Sequence, residues 1–479
     1  MVKQDKSPIW LDGSELEAMT LSPATMAQIA TASAPAKERW VPAKHHLLLN
    51  EKLLAIIRGD ISRLLVTMPP QHGKSELISR YFPAWYLGMF PERRVILASY
   101  EAGFAATWGR KARDLLEEYG PAAFGVAVSP RSSAANRWDI AGQEGGMITA
   151  GAGGPITGRG AHIAIIDDPH KGAEDALSAL QRAKIDDWYK SVLRTRLRPS
   201  GAIVLVQTRW HSDDLAGRRI KAMQDGGEKW DVLNLPALAL DDDPLGRKPG
   251  EALWPEMYSK KNLEETRQTQ GSAWFEAMYQ QRPLTEQGAM FKRDWFGVVS
   301  PDEVPAGRDI RYWDLAATEA RQGTDPDWTA GVRLRLAGGK YYVMHIARFR
   351  ETPAKVEDSI SKVAERDGVG VQIGMEKEGG ASGKIVVDNF RRNVLKGYRF
   401  RAYDVRSKGS KEWAATPVSA TAERGEVILV NDGTWDIEAF LDEAEQFPLG
   451  SHDDQIDALS GAFASIKGGS SMIIEGTFE

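Results

Sequence analysis

The sequence contains no cysteine, which excludes disulfide bonds, thiolate zinc sites and cysteine nucleophiles. Any metal ion would be bound by carboxylate, imidazole or water ligands, and hard oxygen ligands favour Mg²⁺ or Mn²⁺. The sequence also lacks a run of about 18 apolar residues that could span a bilayer. Residues 1–10 lack the apolar core of a signal peptide. We therefore expect a cytosolic protein with no membrane partner.

The sequence also has no excess of positive charge, and its formal net charge is −5. A uniformly basic protein that coats nucleic acid is thereby disfavoured, and a DNA partner would need a locally basic surface. Hydrophobic residues make up 42% of the sequence and charged residues 27%, so there is enough apolar material for packed cores. At 479 residues the chain is expected to form two domains or three.

Two patterns of apolar residues divide the sequence. From Ser62 to Thr208, short apolar runs alternate with amphipathic stretches, which predicts parallel strands covered by helices. From Ile310, three strand-like runs come first, with Gly338-Gly339 as the turn between the second and the third. Helices and strands then alternate. The fold class predicted is α/β, with a mainly parallel sheet in the first domain and a mixed sheet of ribonuclease H type in the second.

Composition shifts give the predicted boundaries. Residues 1–38 are rich in Ser, Ala and Thr and have no sustained periodicity, which is typical of a flexible arm or an adaptor-binding segment. The predicted organisation is an arm at 1–38, a first domain at 39–285, a linker at 286–300, a second domain at 301–468 and a tail at 469–479.

A candidate phosphate-binding loop lies between the first predicted strand and the helix after it. Residues 68–75 read Met-Pro-Pro-Gln-His-Gly-Lys-Ser. Backbone N–H groups in such a loop, together with the positive end of the helix, bind phosphates. The lysine reaches the β- and γ-phosphates and the serine ligates magnesium. We therefore select five nucleotide-binding candidates: Gln71, His72, Gly73, Lys74 and Ser75. Met68 replaces the first glycine of the usual signature, and the triplet could instead be an ordinary helix N-terminus.

The strand 162–167 ends in two acids, Asp167 and Asp168. A nucleotide-hydrolysing site needs one carboxylate near the magnesium ion and another group that activates water. Asp167 suits the first role and Asp168 the second. Asp-Asp-Pro also forms ordinary turns, but its position after the loop favours an ATPase.

A second set of acids lies in the C-terminal half. Asp314 follows the first strand of that half and Glu376 ends a later one, whereas the acids near the terminal helix are Asp453, Asp454 and Asp457. A two-metal nuclease needs carboxylates that converge on two ions. Each acid alone could instead cap a turn, form an ion pair or stabilise a helix N-terminus. We favour Asp454 as the third ligand, then Asp453, with Asp457 as a structural alternative.

The ordered motifs of the first half, PPQHGKS, GRGAHIAIIDDPHKG and VLVQTRWHSDDLAG, resemble the ATPase half of tailed-phage terminase large subunits. The resemblance implies ATP as cofactor, Arg159 as an arginine finger, and a motif at 207–209 that couples hydrolysis to motion and includes Thr208 as a nucleotide-binding candidate. Arg159 could instead be a surface or phosphate-contacting arginine, and residues 207–209 could simply end the strand and cap the next helix. The resemblance also places adenine contacts near Trp40, His45 and His46, although these rings could simply pack. The family usually has Asp-Glu at the end of the acidic strand, whereas this chain has Asp-Asp.

The motifs YWDLA, GMEKEGGASGK and SHDDQIDAL are similar to the nuclease half of the same family, so the resemblance extends from about Arg39 to Ile466. It implies a P-loop NTPase domain followed by a ribonuclease H-like nuclease that uses Mg²⁺ or Mn²⁺. The partners it implies are double-stranded DNA, a small terminase subunit and the portal of the procapsid, where the chain would form a homo-oligomeric ring. The implied location is the host cytoplasm and, transiently, the procapsid portal.

Basic residues are concentrated in one stretch of the second half, with aromatic residues among them. They are Arg391, Arg392, Lys396, Arg399, Arg401, Arg406, Lys408 and Lys411. This stretch is the candidate DNA-tracking surface, and a solvated basic face is the alternative. Two rival functions stay open at this point: a helicase or remodelling ATPase with a degenerate nuclease domain, and an adaptor that binds nucleotide without hydrolysing it.

Overall fold

The structure is a computed structural model. It describes residues 11–156, 160–283, 290–316, 327–377, 381–404, 411–448 and 450–467. The chain forms two compact units: the N-terminal unit comprises residues 1–264 and 275–284, and the C-terminal unit comprises 265–274 and 285–479. No helix in the described part of the chain has both the length and the apolar character needed to cross a bilayer.

The N-terminal unit contains one eight-stranded sheet. Its strands are β1 (Arg63–Thr67), β2 (Arg94–Ser99), β3 (Val128–Ala134), β4 (Arg137–Ile140), β5 (Gly146–Gly151), β6 (Ala161–Asp167), β7 (Leu197–Gln207) and β8 (Asp231–Asn234). The helices are α1 (Gly13–Met19), α2 (Pro23–Ala30), α3 (Lys44–Arg58), α4 (Phe82–Met89), α5 (Ala102–Tyr119), α6 (Ala173–Leu177), α7 (Ala179–Trp188) and α8 (Leu215–Gln224). Helix α9 (Lys260–Gln270) begins in this unit, and the short α10 (Ser272–Trp274) belongs to the other.

The strand order of this sheet is β3-β4-β5-β2-β6-β7-β1-β8. All neighbours from β5 to β8 are parallel. At the other edge, β4 pairs antiparallel with both β3 and β5. The central strands bury side chains on both faces: Leu64 and Val66 enter one core, whereas Leu65 enters the other. This burial explains the continuous apolar runs and confirms the predicted parallel α/β fold.

The N-terminal segment differs from the flexible arm predicted for 1–38. Helices α1 and α2 are capped by the side chains of Asp12 and Ser22, and Met19 and Met26 are fully buried in the core of the unit. The two helices have 7 and 8 residues. Such short helices contain too few turns to show a clear period in the sequence.

The C-terminal unit contains a seven-stranded mixed sheet. Its strands are β9 (Gly297–Val299), β10 (Arg308–Asp314), β11 (Thr329–Ala337), β12 (Lys340–Phe349), β13 (Gln372–Lys377), β14 (Phe400–Asp404) and β15 (Val427–Val430). The helices are α11 (Pro353–Asp367), α12 (Ala381–Asn389), α13 (Lys411–Glu423), α14 (Ile437–Gln446) and α15 (Asp454–Lys467). The strand order is β14-β13-β10-β11-β12-β15-β9.

Strands β10, β11 and β12 are antiparallel neighbours, whereas β13, β14, β15 and β9 join the sheet in parallel. Gly338 and Gly339 have φ of 56° and 79°, which confirms the predicted hairpin turn because a tight hairpin requires positive φ at both positions. The observed order confirms the predicted mixed sheet.

The segment predicted as a linker, 286–300, is partly built into this unit. Phe291 and Phe296 are buried in its core, and β9 pairs with β15. Residues 265–274 also belong to this unit: Ser272 donates to the Glu423 carboxylate, and the Trp274 indole N–H donates to Thr416 Oγ1. Both features depend on contacts between residues far apart in sequence, so local composition did not predict them.

Candidate active sites

Three strand ends meet at one edge of the N-terminal sheet. The order β6-β7-β1 brings Asp167 beside Val206, and Thr67 beside Gln207. Ligands of open α/β sheets bind at the carboxyl ends of the strands. The phosphate-loop candidate, the two acids after β6 and the residues after β7 therefore share one site.

The loop at 68–75 has a strained backbone held by aromatic rings. Gln71 and Gly73 have φ of 59° and 81°, and a Cβ on Gly73 would lie 2.3 Å from His46 Nε2. Only glycine fits there. The His72 carbonyl accepts hydrogen bonds from the Nε2 atoms of His45 and His46, at 3.1 and 2.9 Å. The His72 ring stacks on Tyr258, with 4.5 Å between centroids.

His72 of the loop and the two histidines on α3 are buried. Burial lowers the pKa of His45 to about 3 and the pKa of His46 and His72 to about 4. They are therefore neutral near pH 7 and add no positive charge to the loop. His45 and His46 support the loop from within the core, which corresponds to the packing alternative for these rings.

Lys74 is 6% exposed and lies between two side chains from other strands. Its Nζ donates to Thr208 Oγ1 at 2.9 Å and forms an ion pair with Asp168 Oδ2 at 3.0 Å. The Thr208 backbone N–H donates to Asp168 Oδ1 at 2.8 Å. The Lys74 ammonium therefore lies at the predicted phosphate position and beside the predicted base, Asp168. Both carboxylate oxygens of Asp168 have a bonding partner.

Asp167 is 1% exposed and accepts hydrogen bonds from Ser75 Oγ, at 2.9 Å, and Ser79 Oγ, at 2.7 Å. Burial raises the pKa of Asp167, and the neighbouring Asp168 raises it further. A divalent cation would offset this cost of burying the charge. The hydroxyl of Ser75 and the carboxylate of Asp167 are hard oxygen donors, so the pair fits a Mg²⁺ ion. Ser79 is a partner of Asp167 that the sequence did not single out.

The residues after β7 have separable roles. Gln207 is 1% exposed, and its amide has no hydrogen-bond partner among the described residues. Arg209 Nε donates to Asp214 Oδ2 at 2.9 Å, and Asp214 also caps α8 through the Gly217 N–H. Arg209 therefore stabilises the strand-to-helix turn, as the capping alternative predicted. Arg159 lies outside the described residues, so its predicted role stays a prediction.

The register of the C-terminal sheet places Asp314 and Glu376 at neighbouring strand ends. Trp313 pairs with Met375 in the parallel β10–β13 ladder, and Asp314 and Glu376 each follow by one residue. Trp313 and Met375 are buried with α11, so alternation turns the two acids to the other face. That face packs against α15, where a Cβ on Gly461 would lie 2.2 Å from the Tyr312 ring.

The three acids near the N-terminus of α15 lie in two different environments. Asp454 is 4% exposed, and its Oδ2 is buried with no hydrogen-bond partner among the described residues. Burial raises the pKa of Asp454. Asp453 and Asp457 instead bind Lys411 Nζ, at 2.6 and 2.9 Å. The i+4 spacing correctly predicted that Asp453 and Asp457 share a face.

No three His, Asp or Glu side chains of the described residues come close enough together to hold a metal ion. The predicted ligands Asp314, Glu376 and Asp454 share a face and an end of the sheet but do not form such a group. Their chemistry nevertheless fits a divalent cation, because the buried oxygen of Asp454 needs a positive partner. The five acids proposed as metal ligands stay a prediction.

Comparison with known proteins identifies the family. A model of the terminase large subunit, T4likevirus-type, N-terminal, matches residues 65–298, and a model of the terminase RNaseH-like domain matches residues 311–465. The two matches follow each other along most of the chain. The chain belongs to the terminase large subunit family. A comparison with curated proteins gave no match.

Solved terminase structures resemble this terminase chain at low sequence identity. A large terminase from a thermophilic bacteriophage is 13% identical, with a TM-score of 0.47, over 87% of this chain and 99% of that one. The large terminase of bacteriophage HK97 is 12% identical, with a TM-score of 0.37, over 83% of this chain and 87% of that one. The nuclease of thermophilic phage G20c, with bound zinc, is 19% identical, with a TM-score of 0.26, over 36% of this chain and 95% of that one.

The basic stretch of the terminase chain is only partly a free surface. Arg391, Arg392, Lys396, Arg399 and Arg401 are exposed, whereas Arg406 and Lys408 lie outside the described residues. Lys411 is exposed but is engaged with two aspartates, as described above. The aromatic residues of the stretch are also accounted for by packing, since Tyr398 and Phe400 lie against the core.

Proposed function

We propose that this terminase subunit hydrolyses ATP to move double-stranded DNA into a procapsid and cuts concatemeric DNA with a two-metal nuclease. The observation that carries the motor half is the arrangement around Lys74. Its ammonium lies 3.0 Å from Asp168 and 2.9 Å from Thr208, and the adjacent Ser75 donates to Asp167. Five residues from three strand ends are thus joined by direct side-chain contacts at one site.

Each group has a separate role in the proposed ATPase. The backbone of Gln71, His72 and Gly73 would cradle the phosphates, and Lys74 would bind the β- and γ-phosphates. Ser75 and Asp167 would hold Mg²⁺, which supplies positive charge for the phosphate oxygens. Asp168 would accept the proton of the attacking water, and its contact with the Thr208 N–H fixes the orientation of its carboxylate.

Residues after β7 would link hydrolysis to movement, because Thr208 contacts both Lys74 and Asp168. Any displacement of those two side chains therefore reaches the turn that Arg209 and Asp214 hold before α8. Arg159 would supply positive charge to the transition state from a neighbouring subunit.

The nuclease half is proposed on the shared face of Asp314, Glu376 and Asp454. These carboxylates, with Asp453, would hold Mg²⁺ or Mn²⁺, and the ions would generate the attacking hydroxide and stabilise the leaving oxygen. Asp457 would act through Lys411, whose ammonium joins it to Asp453. The exposed arginines between 391 and 401 would track the phosphate backbone without reading sequence.

The proposed partners follow from this role. Double-stranded DNA is the substrate, a small terminase subunit would select the packaging site, and a homo-oligomeric ring would assemble on the portal of the procapsid in the host cytoplasm. ATP and Mg²⁺ are the proposed cofactors, with Mn²⁺ as an alternative in the nuclease.

One observation favours a second candidate function. Because no carboxylate trio of the described residues forms a metal site, the chain could be a DNA-remodelling ATPase that does not cut. Supercoiled plasmid incubated with the pure protein and Mg²⁺ or Mn²⁺ distinguishes the two. We expect nicked and linear products that disappear in Asp314→Asn. An intact plasmid alongside normal ATP hydrolysis would support the second function.

A further inference from the structure

Two arginines of the C-terminal unit stack on one tryptophan near Asp454. Arg348 ends β12 together with Phe349, and Arg350 follows it. Their guanidinium carbons lie 4.2 and 4.0 Å from the centroid of the Trp328 ring. Cations over an indole are stabilised by its π-electrons. We call Trp328, Arg348 and Arg350 the arginine–tryptophan cluster.

Strand register places this cluster in line with a predicted metal ligand. Asp314 pairs with Ala330 in the β10–β11 ladder, and Ala330 pairs with Arg348 in the β11–β12 ladder. Paired residues point to the same face of a sheet, so the three form a row across three strands. Ala330 is buried in the core that contains α15. Two strand spacings put the backbones of Asp314 and Arg348 about 10 Å apart.

Among the described residues, the charge of Arg348 is only weakly compensated. Arg348 reaches only the edge of ion-pair distance from Glu443, at 4.0 Å. That carboxylate already accepts hydrogen bonds from Gln455 N, Gln455 Nε2 and Ile456 N. Arg348 Nε and Trp328 Nε1 are buried N–H donors that have no acceptor among the described residues.

An unsatisfied buried donor costs free energy. An anion that accepts from Arg348 Nε and Trp328 Nε1 would remove this cost. The arginine fork suits a phosphate because it presents parallel N–H donors, and stacking on the indole fixes its plane in advance. The side chain of Arg348 is 24% exposed, so a ligand can reach it.

The cluster also connects to Asp454. Arg350 Nη2 lies 3.0 Å from His452 Nε2, and His452 Nδ1 lies 3.8 Å from Asp454 Oδ2. A ligand that binds Arg350 would thus lie next to the histidine that flanks the buried carboxylate.

We propose that the arginine–tryptophan cluster binds a backbone phosphate of the DNA strand that crosses Asp314 and Asp454. The proposal rests on the proposed nuclease function and names the group that would hold the strand at the metal site. A phosphate held at Arg348 lies about two strand spacings from Asp314 at the same end of the sheet, so the adjoining nucleotide would reach the predicted metal ligands. The contact is indifferent to base sequence, because only phosphate is recognised.

The test is the salt dependence of DNA binding by the full-length chain. A fluorescently labelled duplex is titrated with protein over a range of NaCl concentrations without divalent metal, so that cutting does not contribute. Arg348→Gln and Arg350→Gln are each expected to weaken binding roughly 10-fold. Each should lower the slope of log K against log salt by about one. Both effects should be the same for two unrelated duplex sequences.

The matched control is Lys362→Gln, which removes one positive charge from α11. Lys362 is 70% exposed and pairs with Asp358, and α11 packs on the opposite face of the sheet. The DNA affinity and the salt slope of Lys362→Gln should equal those of the parent chain. Arg348→Lys keeps the charge but loses the fork, so its slope should stay at the parent value while affinity falls. This variant keeps the test decisive if Arg348→Gln does not fold.

An unchanged salt slope in folded Arg350→Gln and Arg348→Gln would overturn the proposal, as would a loss of cutting with no loss of DNA affinity. Plasmid cutting by the parent chain is measured in parallel. If the parent never cuts but both glutamine variants lower the slope, the phosphate contact stands and the nuclease function fails. If the parent cuts and the slopes do not change, the nuclease stands and the phosphate contact fails.

Discussion

Lys74 Nζ lies 3.0 Å from Asp168 Oδ2, although 94 positions separate the two residues in the sequence. The contact joins the loop after β1 to the acid after β6. It places the only cation of the 68–75 loop directly beside the carboxylate proposed as the base. The ATPase predictions below depend on this pair.

We expect Lys74→Ala to abolish ATP hydrolysis and packaging and to leave plasmid cutting largely intact, because the charge of Lys74 serves only the proposed ATPase site. Steady-state phosphate release and plasmid cutting measure the two activities. Lys52→Ala is the control, since Lys52 pairs with Asp231 outside the loop. Hydrolysis by Lys74→Ala at near the parent rate would contradict the phosphate-loop assignment.

Asp168→Asn should bind ATP and hydrolyse it on the order of 10²-fold more slowly, because the amide cannot accept the proton of the attacking water. The substitution preserves the acceptor oxygen for the Thr208 N–H, so the site should keep its shape. Asp167→Asn should instead weaken Mg²⁺-dependent nucleotide binding. Single-turnover hydrolysis and nucleotide titration with and without Mg²⁺ separate the two effects. The roles assigned to the two aspartates are reversed if Asp167→Asn binds nucleotide normally in the presence of Mg²⁺ and Asp168→Asn does not.

Arg159 is predicted to act across a subunit boundary. Mixed rings of Arg159→Ala and Lys74→Ala subunits should recover part of the ATPase activity, because some interfaces then contain both an intact finger and an intact loop. Phosphate release is measured over a series of mixing ratios. Verified mixed rings that stay inactive at every ratio would count against action in trans.

Asp314→Asn should stop plasmid cutting by removing a charge on which metal binding depends, while ATPase activity and folding persist. Isothermal titration with Mn²⁺ should show the loss of metal binding directly. Asp309→Asn is the matched control on the same strand, because Asp309 pairs with Arg333 and Arg335 instead. Unimpaired cutting by Asp314→Asn would remove it from the metal site.

An isolated nuclease fragment should require more of the chain than the sequence indicates. A fragment that starts at about Arg293 would omit Met290 and Phe291, which are 6% and 0% exposed. We expect a fragment of residues 265–479 to be more stable than one of 285–479 by about 2–4 kcal/mol, since Trp274 is buried on α13. Urea denaturation of both measures the difference. In the longer fragment, Trp274→Ala should remove most of this extra stability. Equal urea midpoints for the two fragments would show that residues 265–274 do not stabilise the unit.

The longer fragment should cut DNA with Mg²⁺ or Mn²⁺ in the absence of ATP, because its acids need nothing from the N-terminal unit. Cutting should be indifferent to sequence and suppressed by salt, as expected when backbone phosphates supply the affinity. A folded fragment that binds DNA but never cuts it with either metal, together with an inert full-length protein, would leave only the motor half of the proposed function.

The sequence by itself determined the types of element and the residues at their ends. Apolar runs such as 162–167 predict buried strands, and the acids and glycines at the ends of these strands can be identified from the sequence alone. Both predictions succeed because strand periodicity and turn chemistry depend on neighbouring residues only. The glycine pair at 338–339 predicted its hairpin for the same reason.

Which strand ends lie next to each other was decided only by the tertiary structure. The position of β7 between β6 and β1 brings Thr208 to Lys74, and the β10–β11–β12 register brings Arg348 into line with Asp314. The ion pairs of Lys411 and the burial of Asp454 were equally hidden from the sequence. Such contacts depend on strand order and on the packing of α15 over the sheet, which are set by burial of apolar surface between distant segments. Residue spacing along the chain does not specify them.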